Sequence, residues 1–228
     1  MNKVYTWHDA FKVLTDSDMV WVALLETFAM IGAAGAMAVV FGVPLGIILN
    51  MTDPKGLKPN PAVNKVLGFL VNVGRSIPFI ILCIYLMPFT KFLVNTKTGT
   101  LGAIPPLAIA AIPFMARLAE VAFKEVPRGL VEAAQAMGAS NMQIIRKVLL
   151  AESMPALISG ITIMLVSLLG YSAIVGSVGA GGLGSLAFNQ GYSSFRDDIT
   201  DAVMIVIIVL VVVMQFFGDR LAVRANHR

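Results

Sequence analysis

The sequence predicts an all-α integral membrane protein whose chain crosses the bilayer five times. Composition is the first observation: 57% of the 228 residues are hydrophobic, 13% are charged, and the mean hydropathy is +0.83. The second observation is that the apolar residues are collected into long runs with short polar connections between them. These features are typical of a polytopic membrane protein with short loops and one domain.

Five runs are apolar for long enough to cross the hydrocarbon core, which takes about 20 residues of helix. They cover residues 20–49, 66–90, 101–123, 154–178 and 202–218. We therefore expect a membrane domain over residues 20–222. An N-terminal segment of residues 1–19 precedes it, and a short tail of residues 223–228 follows it.

Proline and glycine predict that several spans are bent or closely packed. The prolines in or beside the first three spans are Pro44, Pro78, Pro88, Pro105, Pro106 and Pro113. Each removes a backbone N–H, so the helix kinks and neighbouring groups must repair the lost hydrogen bond. Gly42 and Gly46 form a small-xxx-small pair, which predicts the close approach of another helix.

The distribution of Lys and Arg predicts the orientation of the chain. Eleven fall in connections on one side of the membrane: Lys55, Lys58, Lys65, Arg117, Lys124, Arg128, Arg146, Lys147, Arg220, Arg224 and Arg228. Five fall on the other side: Lys3, Lys12, Lys91, Lys97 and Arg196. Because cytoplasmic connections carry the excess of positive charge, we expect the N-terminus outside and the C-terminus in the cytoplasm.

Residues 127–151 form a polar island between the third and fourth spans, predicted to be two short helices joined by a tight turn. Leu130, Ala134 and Met137 repeat at the spacing of one helix face, and Gly138 follows where a helix ends in a left-handed residue. Neither helix is long enough to cross a bilayer. The charge count places this island in the cytoplasm.

The second helix of the island has its own start signal and its own apolar stripe. Ser140 and Gln143 have the spacing of a capping box. Met142, Ile145 and Leu149 then repeat on one face. Two apolar faces on the membrane surface must be covered by something, so we expect a partner to bind there.

Four charged residues in or near the spans stand out. Arg75 lies inside the second span, where its side chain either reaches the headgroups or has a structural or gating role. Glu120 follows Arg117 at the spacing of a helix-surface ion pair. Glu26 lies near the outer end of the first span, where we expect an interfacial side chain.

The end of the fourth span is rich in small and polar residues. A G-x-G-x-x-G pattern is present at Gly179, Gly181 and Gly184, but it follows a span rather than a strand, so it does not indicate a nucleotide site. We interpret it as flexible or closely packed backbone. Hydroxyl groups recur along the same span, which favours either a path lining or ordinary packing. They belong to Ser167, Tyr171, Ser172 and Ser177.

Several classes of function are disfavoured by the residues. His8 and His227 lie near opposite ends of the chain, and we find no metal-ligand spacing, no nucleophile–base set and no Walker A sequence. The basic residues follow topology rather than one face of a soluble module, so we expect no nucleic-acid binding. We predict no catalytic residue, metal or cofactor on this chain, and any energised work must be driven by another subunit.

Residues 127–151 closely resemble the EAA loop of ABC importer permeases. That family pattern is Glu-Ala-Ala, three residues, Gly, nine residues, an aliphatic residue, one residue, then Leu-Pro. The matching residues are Glu132, Ala133, Ala134, Gly138, Val148 and Leu150. Ala151 stands where the proline is usual, although Pro155 follows four residues later.

This resemblance implies a type I ABC transmembrane domain whose loop docks in a groove of a cytoplasmic ATPase. The coupling residues that it implies are Glu132, Ala133, Ala134, Gly138 and Ser140. ATP and magnesium would then be bound by the ATPase, and the permease would alternate between inward- and outward-open states.

Longer stretches look like the permeases of methionine importers. They are RSIPFI from Arg75, ARLAE from Ala116, MGASNMQIIRKVLL from Met137 and GYSAIVGSVGAGGLG from Gly170. The resemblance implies a bacterial inner-membrane homodimer with two cytoplasmic ATP-binding subunits and an extracytoplasmic methionine-binding protein. It places the gate at Tyr171, Ser172 and Ile174, although the family member has a methionine at the last position, and Ser167 is a further pore candidate because of its hydroxyl group.

Three other functions remain open at this point. One is a permease of a related importer for another small solute. Another is an ion-coupled secondary transporter, which is disfavoured because no acidic residue lies in the middle of a span. The third is a membrane scaffold without a transport path.

Overall fold

The computed structural model describes residues 6–16 and 18–226, and these residues are almost entirely helical. Before the polar island the helices are α1 (Trp7–Asp16), α2 (Asp18–Thr52), α3 (Pro61–Ser76), α4 (Phe79–Val94) and α5 (Gly99–Lys124). From the island onward they are α6 (Arg128–Ala136), α7 (Asn141–Ile144), α8 (Leu150–Ser177), α9 (Gly182–Ser185) and α10 (Asp197–Ala225). Two π-helical segments, Ile145–Leu149 and Leu186–Tyr192, extend α7 and α9 respectively.

The helices that are long and apolar enough to span a membrane agree with the predicted runs. Four of them are α2, α5, the continuous helix Asn141–Ser177 and α10, and the bent pair α3 and α4 brings the number to as many as five. This confirms the all-α membrane fold class. Part of the predicted N-terminal segment, residues 1–5 and 17, lies outside the described residues, as do the last two residues of the tail.

The second predicted span, residues 66–90, is not one rod. It is divided between α3 and α4, which are bent by 103° at the break between them. Ile77, the residue directly after α3, has extended backbone angles (φ −78°, ψ 123°), and Pro78 follows it. The residue before a proline is pushed out of the helical region and proline donates no hydrogen bond, which together account for the break.

The helix that contains the fourth predicted span, residues 154–178, begins before that span. The helix starts at Asn141 and runs without interruption to Ser177, a length of 37 residues. The expected boundary near residue 151 is therefore not a helix end, and the second short helix of the polar island is the first part of a spanning helix. Residues Ile145–Leu149 form one π-helical turn within it, and Pro155 is carried inside α8.

The chain divides into two compact units. The first comprises the described residues up to Gly35 together with Pro78–Ile109 and Leu165–Met214. Its core joins residues of α2, α9 and α10 with one residue of the π segment after α9: Val20, Ala23, Leu183, Leu186, Ile199 and Val203.

The second unit comprises Ala36–Ile77, Ala110–Met164 and the described residues from Gln215 onward. One core cluster in this unit joins α2, α3 and α5 through Leu49, Val71 and Ala116. Both units therefore draw on segments that are distant in sequence.

The close helix approach predicted from Gly42 and Gly46 is found in the second unit, where α2 crosses α5. A Cβ atom on Gly46 would lie 2.7 Å from the Cβ of Ala119 and 2.8 Å from the carbonyl oxygen of Ala116. A Cβ atom on Gly42 would lie 2.8 Å from the Cβ of Met115. Glycine is needed at both positions because the opposing atoms are backbone or the first atom of a side chain.

We expect Gly46→Ala to destabilise the protein, because the added Cβ would clash with α5 and the two helices would have to move apart. Overpacking of this kind costs on the order of 1–3 kcal/mol. The matched control is Gly32→Ala in the same helix, where an added Cβ meets nothing within 4 Å. Thermal unfolding in detergent micelles should show a lower midpoint for Gly46→Ala and an unchanged or higher one for Gly32→Ala. Equal midpoints for the two variants would contradict this packing.

Candidate functional site

The polar island is built around a sharp turn at Gly138. The N–H of Gly138 donates to the carbonyl of Gln135 (2.9 Å), and the N–H of Ala139 donates to the carbonyl of Ala134 (3.0 Å). This pair of bonds is a Schellman motif, which satisfies the last carbonyls of α6. Gly138 has φ +78°, a left-handed conformation that favours glycine. The glycine therefore fixes where α6 ends.

The predicted capping box is present at the start of α7. The backbone N–H of Ser140 donates to the side-chain oxygen of Gln143 (2.7 Å), and the backbone N–H of Gln143 donates to the Ser140 hydroxyl (3.4 Å). Both orphan donors at this helix start are satisfied by the motif's own side chains. Ser140 thus holds the beginning of the long helix that continues into the membrane.

The two apolar stripes of the island are covered only in part by the chain itself. Ala134, Ile145 and Leu149 are buried. Met137, by contrast, is 82% exposed, and Leu130 and Met142 are also exposed. One residue of the first stripe and two of the second are therefore covered within the chain, and the other three form an open apolar surface. Ala133 lies on the exposed side of α6.

Glu132 lies in the wall of a cavity of about 440 Å³ in the second unit. The cavity also has Asp53, Lys124 and Arg128 in its lining. The N–H of Lys55 donates to Asp53 (3.1 Å), and the Lys124 ammonium lies 3.3 Å from the other carboxylate oxygen. The Lys55 N–H and then the Lys124 cation lower the pKa of Asp53, so its carboxylate stays ionised at neutral pH.

The predicted pair between Glu120 and Arg117 is confirmed and is part of a larger cluster. The Arg117 guanidinium lies 2.7 Å from one oxygen of Glu120, and the Lys124 ammonium lies 2.7 Å from the other. Lys124 also reaches Asp53, which follows the end of α2. The cluster therefore ties the connection after α2 to the end of α5, beside the cavity that Glu132 lines.

Arg75 lies in the last turn of α3, immediately before the break. Its guanidinium carbon lies 5.7 Å from the centre of the Phe114 ring, within cation–π range. A cation in this turn is also favoured by the helix dipole. These contacts are compatible with either role expected from the sequence, and the choice between them stays a prediction.

The residues predicted to line a path do not all face the same way. The ring of Tyr171 stacks on Phe79 of α4, with centroids 4.6 Å apart. Ser172 is buried, and its hydroxyl donates to the carbonyl of Leu169 (2.8 Å). Ile174 is exposed and Ser167 is half-buried. Tyr171 and Ile174 thus present accessible surface, whereas the Ser172 hydroxyl is held by its own helix.

Glu26 and its neighbour Thr27 have a role that the sequence did not predict. The N–H of Gly182 donates to the Glu26 carboxylate (2.6 Å), and the N–H of Leu183 donates to the Thr27 hydroxyl (2.9 Å). These N–H groups belong to the first turn of α9 and have no partner within that helix. Glu26 therefore caps a helix 156 positions away, a pairing that no local sequence pattern indicates.

The glycine-rich segment is closely packed backbone, as one of the two interpretations expected. Gly179, Gly181 and Gly182 have positive φ angles. A Cβ on Gly182 would lie 2.7 Å from the Thr27 hydroxyl, and one on Gly181 would lie 2.8 Å from the Glu26 carboxylate. Glycine is needed here so that α9 can approach its capping side chains. Across the described part of the chain, no three His, Cys, Asp or Glu side chains form a possible metal site.

Comparison with known proteins identifies the class. The family described as "Binding-protein-dependent transport system inner membrane component" matches residues 42–228. The chain belongs to this family, and it is a multi-pass inner-membrane component of a transport system rather than an enzyme. The resemblance found at the EAA pattern is thereby confirmed.

Several individual relatives are similar over nearly the whole chain. A probable D-methionine transport system permease protein of Vibrio cholerae is 48% identical over 213 residues, which cover 93% of this chain and 95% of that protein. The methionine import system permease protein of Bacillus subtilis is 48% identical over 204 residues, which cover 90% and 92%.

A solved structure is similar as well. A chain of the MetNI methionine ABC transporter in an inward-facing conformation superposes with a TM-score of 0.90 and is 42% identical. The match covers 92% of this chain and 100% of that chain.

We expect Thr27→Val to destabilise the protein more than Thr27→Ser. Thr27 is 1% exposed, and its hydroxyl both accepts from Leu183 and donates to the carbonyl of Ala23 (2.8 Å). Valine has nearly the same shape but leaves the buried Leu183 N–H without a partner, at a cost of about 1–3 kcal/mol. Serine keeps the hydroxyl. Unfolding in mixed micelles should rank wild type and Thr27→Ser above Thr27→Val, and a valine variant as stable as the serine variant would refute the cap.

Proposed function

We propose that this chain is the permease subunit of an ATP-driven importer that translocates methionine across the bacterial inner membrane. The observation that carries the proposal is the 48% identity to the Vibrio cholerae permease over 93% of this chain. The Bacillus subtilis relative and the MetNI chain support the same substrate. The substrate path would be formed by two copies of the chain, fed by an extracytoplasmic methionine-binding protein.

The energy would come from two cytoplasmic ATPase subunits that bind ATP and magnesium. They would dock on the open apolar surface of the island, which consists of Leu130, Met137 and Met142. Its apolar side chains are exposed in the single chain and need a cover. Glu132 and Ala133 are exposed on the short helix α6. Glu132 would contribute a charge to the contact with the ATPase, and the small side chain of Ala133 would let the ATPase approach closely. Gly138 and Ser140 would hold the surface in shape.

We propose an orientation that the charge distribution supports. An N-terminus outside and a C-terminus in the cytoplasm put the island on the side where ATP is available. Movement of the docked ATPases would be passed along the continuous helix Asn141–Ser177 toward Tyr171 and Ile174. We propose that these two residues take part in the gate, with Ser167 nearby and with Tyr171 stacked on Phe79.

An ion-coupled mechanism has less support. The buried carboxylates of Glu120 and Asp198 are paired with Arg117 and Arg196 respectively. Both carboxylates are thus held in ion pairs within the chain and are not free to bind a coupling ion. The pairing therefore favours a permease that is driven by a separate ATPase.

In vesicles, we expect ATP-dependent accumulation of labelled methionine only when the chain is combined with its ATPase and its binding protein. The chain alone should move nothing, because it carries no nucleotide-binding motif. Methionine should compete with the labelled substrate better than other amino acids do. Uptake by the chain alone on an ion gradient would overturn the proposal, and equal competition by another solute would overturn the substrate.

Two charge reversals test the docking surface in the same assay, one on that surface and one as its control. Glu132→Lys changes the exposed face of α6, whereas Glu125→Lys changes an equally charged, exposed residue just before that helix. ATPase stimulation and methionine uptake should fall together in Glu132→Lys and stay near wild type in Glu125→Lys. A scaffold without a transport path would show neither activity in any variant.

A further inference from the structure

Helix α1 is a well-formed helix that precedes the family match, which begins at residue 42. The backbone N–H of Thr6 donates to the carboxylate of Asp9 (2.9 Å), and the Thr6 carbonyl accepts from the N–H of Asp9 (2.9 Å). The two residues close the first turn on each other, as at many helix starts. The orientation of the side chains that follow is therefore set by a regular helix.

The apolar face of α1 is wider than the protein surface that covers it. At about 3.6 residues per turn, Val13, Ala10, Leu14, Trp7 and Phe11 form one continuous arc of about 160°. Val13 and Leu14 pack on the core of the first unit, and Ala10 is buried. The other end of the arc is open, with Trp7 59% exposed and Phe11 60% exposed.

The position of α1 in the chain places this open face next to the hydrocarbon. Only Ser17 separates Asp16 from the start of α2, a helix long and apolar enough to span. Two Cα–Cα steps of about 3.8 Å join Asp16 to Asp18, so the end of α1 lies within about 8 Å of the start of that helix. Trp21, one turn into α2, is also exposed.

We propose that α1 lies in the membrane interface and that its open face binds the lipid surface. Trp7 and Phe11 enter the boundary between headgroups and acyl chains, where aromatic side chains are enriched. The helix thereby fixes the depth of the first span in the membrane. The covered part of its apolar arc packs on the core of the first unit.

The chemistry of the face favours lipid over a second protein. Two aromatic side chains bury on the order of 400 Å², whereas stable protein interfaces need about 1,200 Å² or more. A lipid surface needs no such area on α1 alone, because the spanning helices already anchor the chain. The open face is continuous with a span that must itself meet lipid or protein.

Trp7 and Trp21 are the two tryptophans of the chain, which makes a direct fluorescence test possible. In Trp21→Phe only Trp7 emits, and in the matched variant Trp7→Phe only Trp21 emits. The full chain is reconstituted in phosphatidylcholine vesicles whose acyl chains carry bromine either near the headgroup or near the methyl end. We expect the Trp7 emission maximum to be blue-shifted relative to that of tryptophan in water. We expect its intensity to be quenched mainly by lipids that carry bromine near the headgroup.

Aqueous iodide, added on both sides of the vesicle membrane, is the complementary quencher because it reaches only tryptophan that is exposed to water. It should quench Trp7 only weakly. Strong quenching by iodide without quenching by brominated lipid would place Trp7 in water and overturn the proposal. Resistance to both quenchers would place it under protein, such as a second copy of the chain, and would overturn the proposal equally.

Discussion

The structure depends on one constraint: backbone N–H and C=O groups that leave water must find partners within the protein. In hydrocarbon each unpaired group costs several kcal/mol, so helix ends are the critical positions. The protein satisfies the first turn of α9 with Glu26 and Thr27, whose side-chain oxygens accept from the N–H groups of Gly182 and Leu183. At Gly138 the chain instead turns in the polar island, where the Schellman motif and the capping box leave few groups unpaired.

The same constraint explains why the island and the fourth span are one helix. Ending a helix between Leu149 and Leu150 would free carbonyl groups and N–H groups near the membrane boundary. The π-helical turn at Ile145–Leu149 changes the direction of side chains without ending the hydrogen-bonded backbone. A displacement of the exposed surface at Met142 is therefore a displacement of the start of the span, and no flexible linker absorbs it.

Local signals in the sequence predicted local structure well. The periodicity of Leu130 and Ala134, the stop at Gly138 and the capping box at Ser140 each involve residues a few positions apart, and each was found. The pair Gly42 and Gly46 predicted a close helix approach but not that α5 is the partner. What the sequence could not predict depends on distant pairs such as Glu26 with Gly182, which tertiary packing alone brings together. The continuity of the helix from Asn141 into the fourth span was not predicted, because the polar residues 127–151 were interpreted as a separate pair of short helices.

The second helix of the polar island and the fourth span are one unbroken helix, and hydrogen exchange tests this continuity directly. The measurement is amide exchange of peptides covering residues 141–160 in the reconstituted chain. Arg146 and Lys147 are exposed, so protection of their amides reports hydrogen bonding rather than burial. The account predicts that residues 145–149 exchange as slowly as the helical turns on either side. Exchange at 145–149 that is much faster than in both flanking turns would reveal a hinge and contradict it.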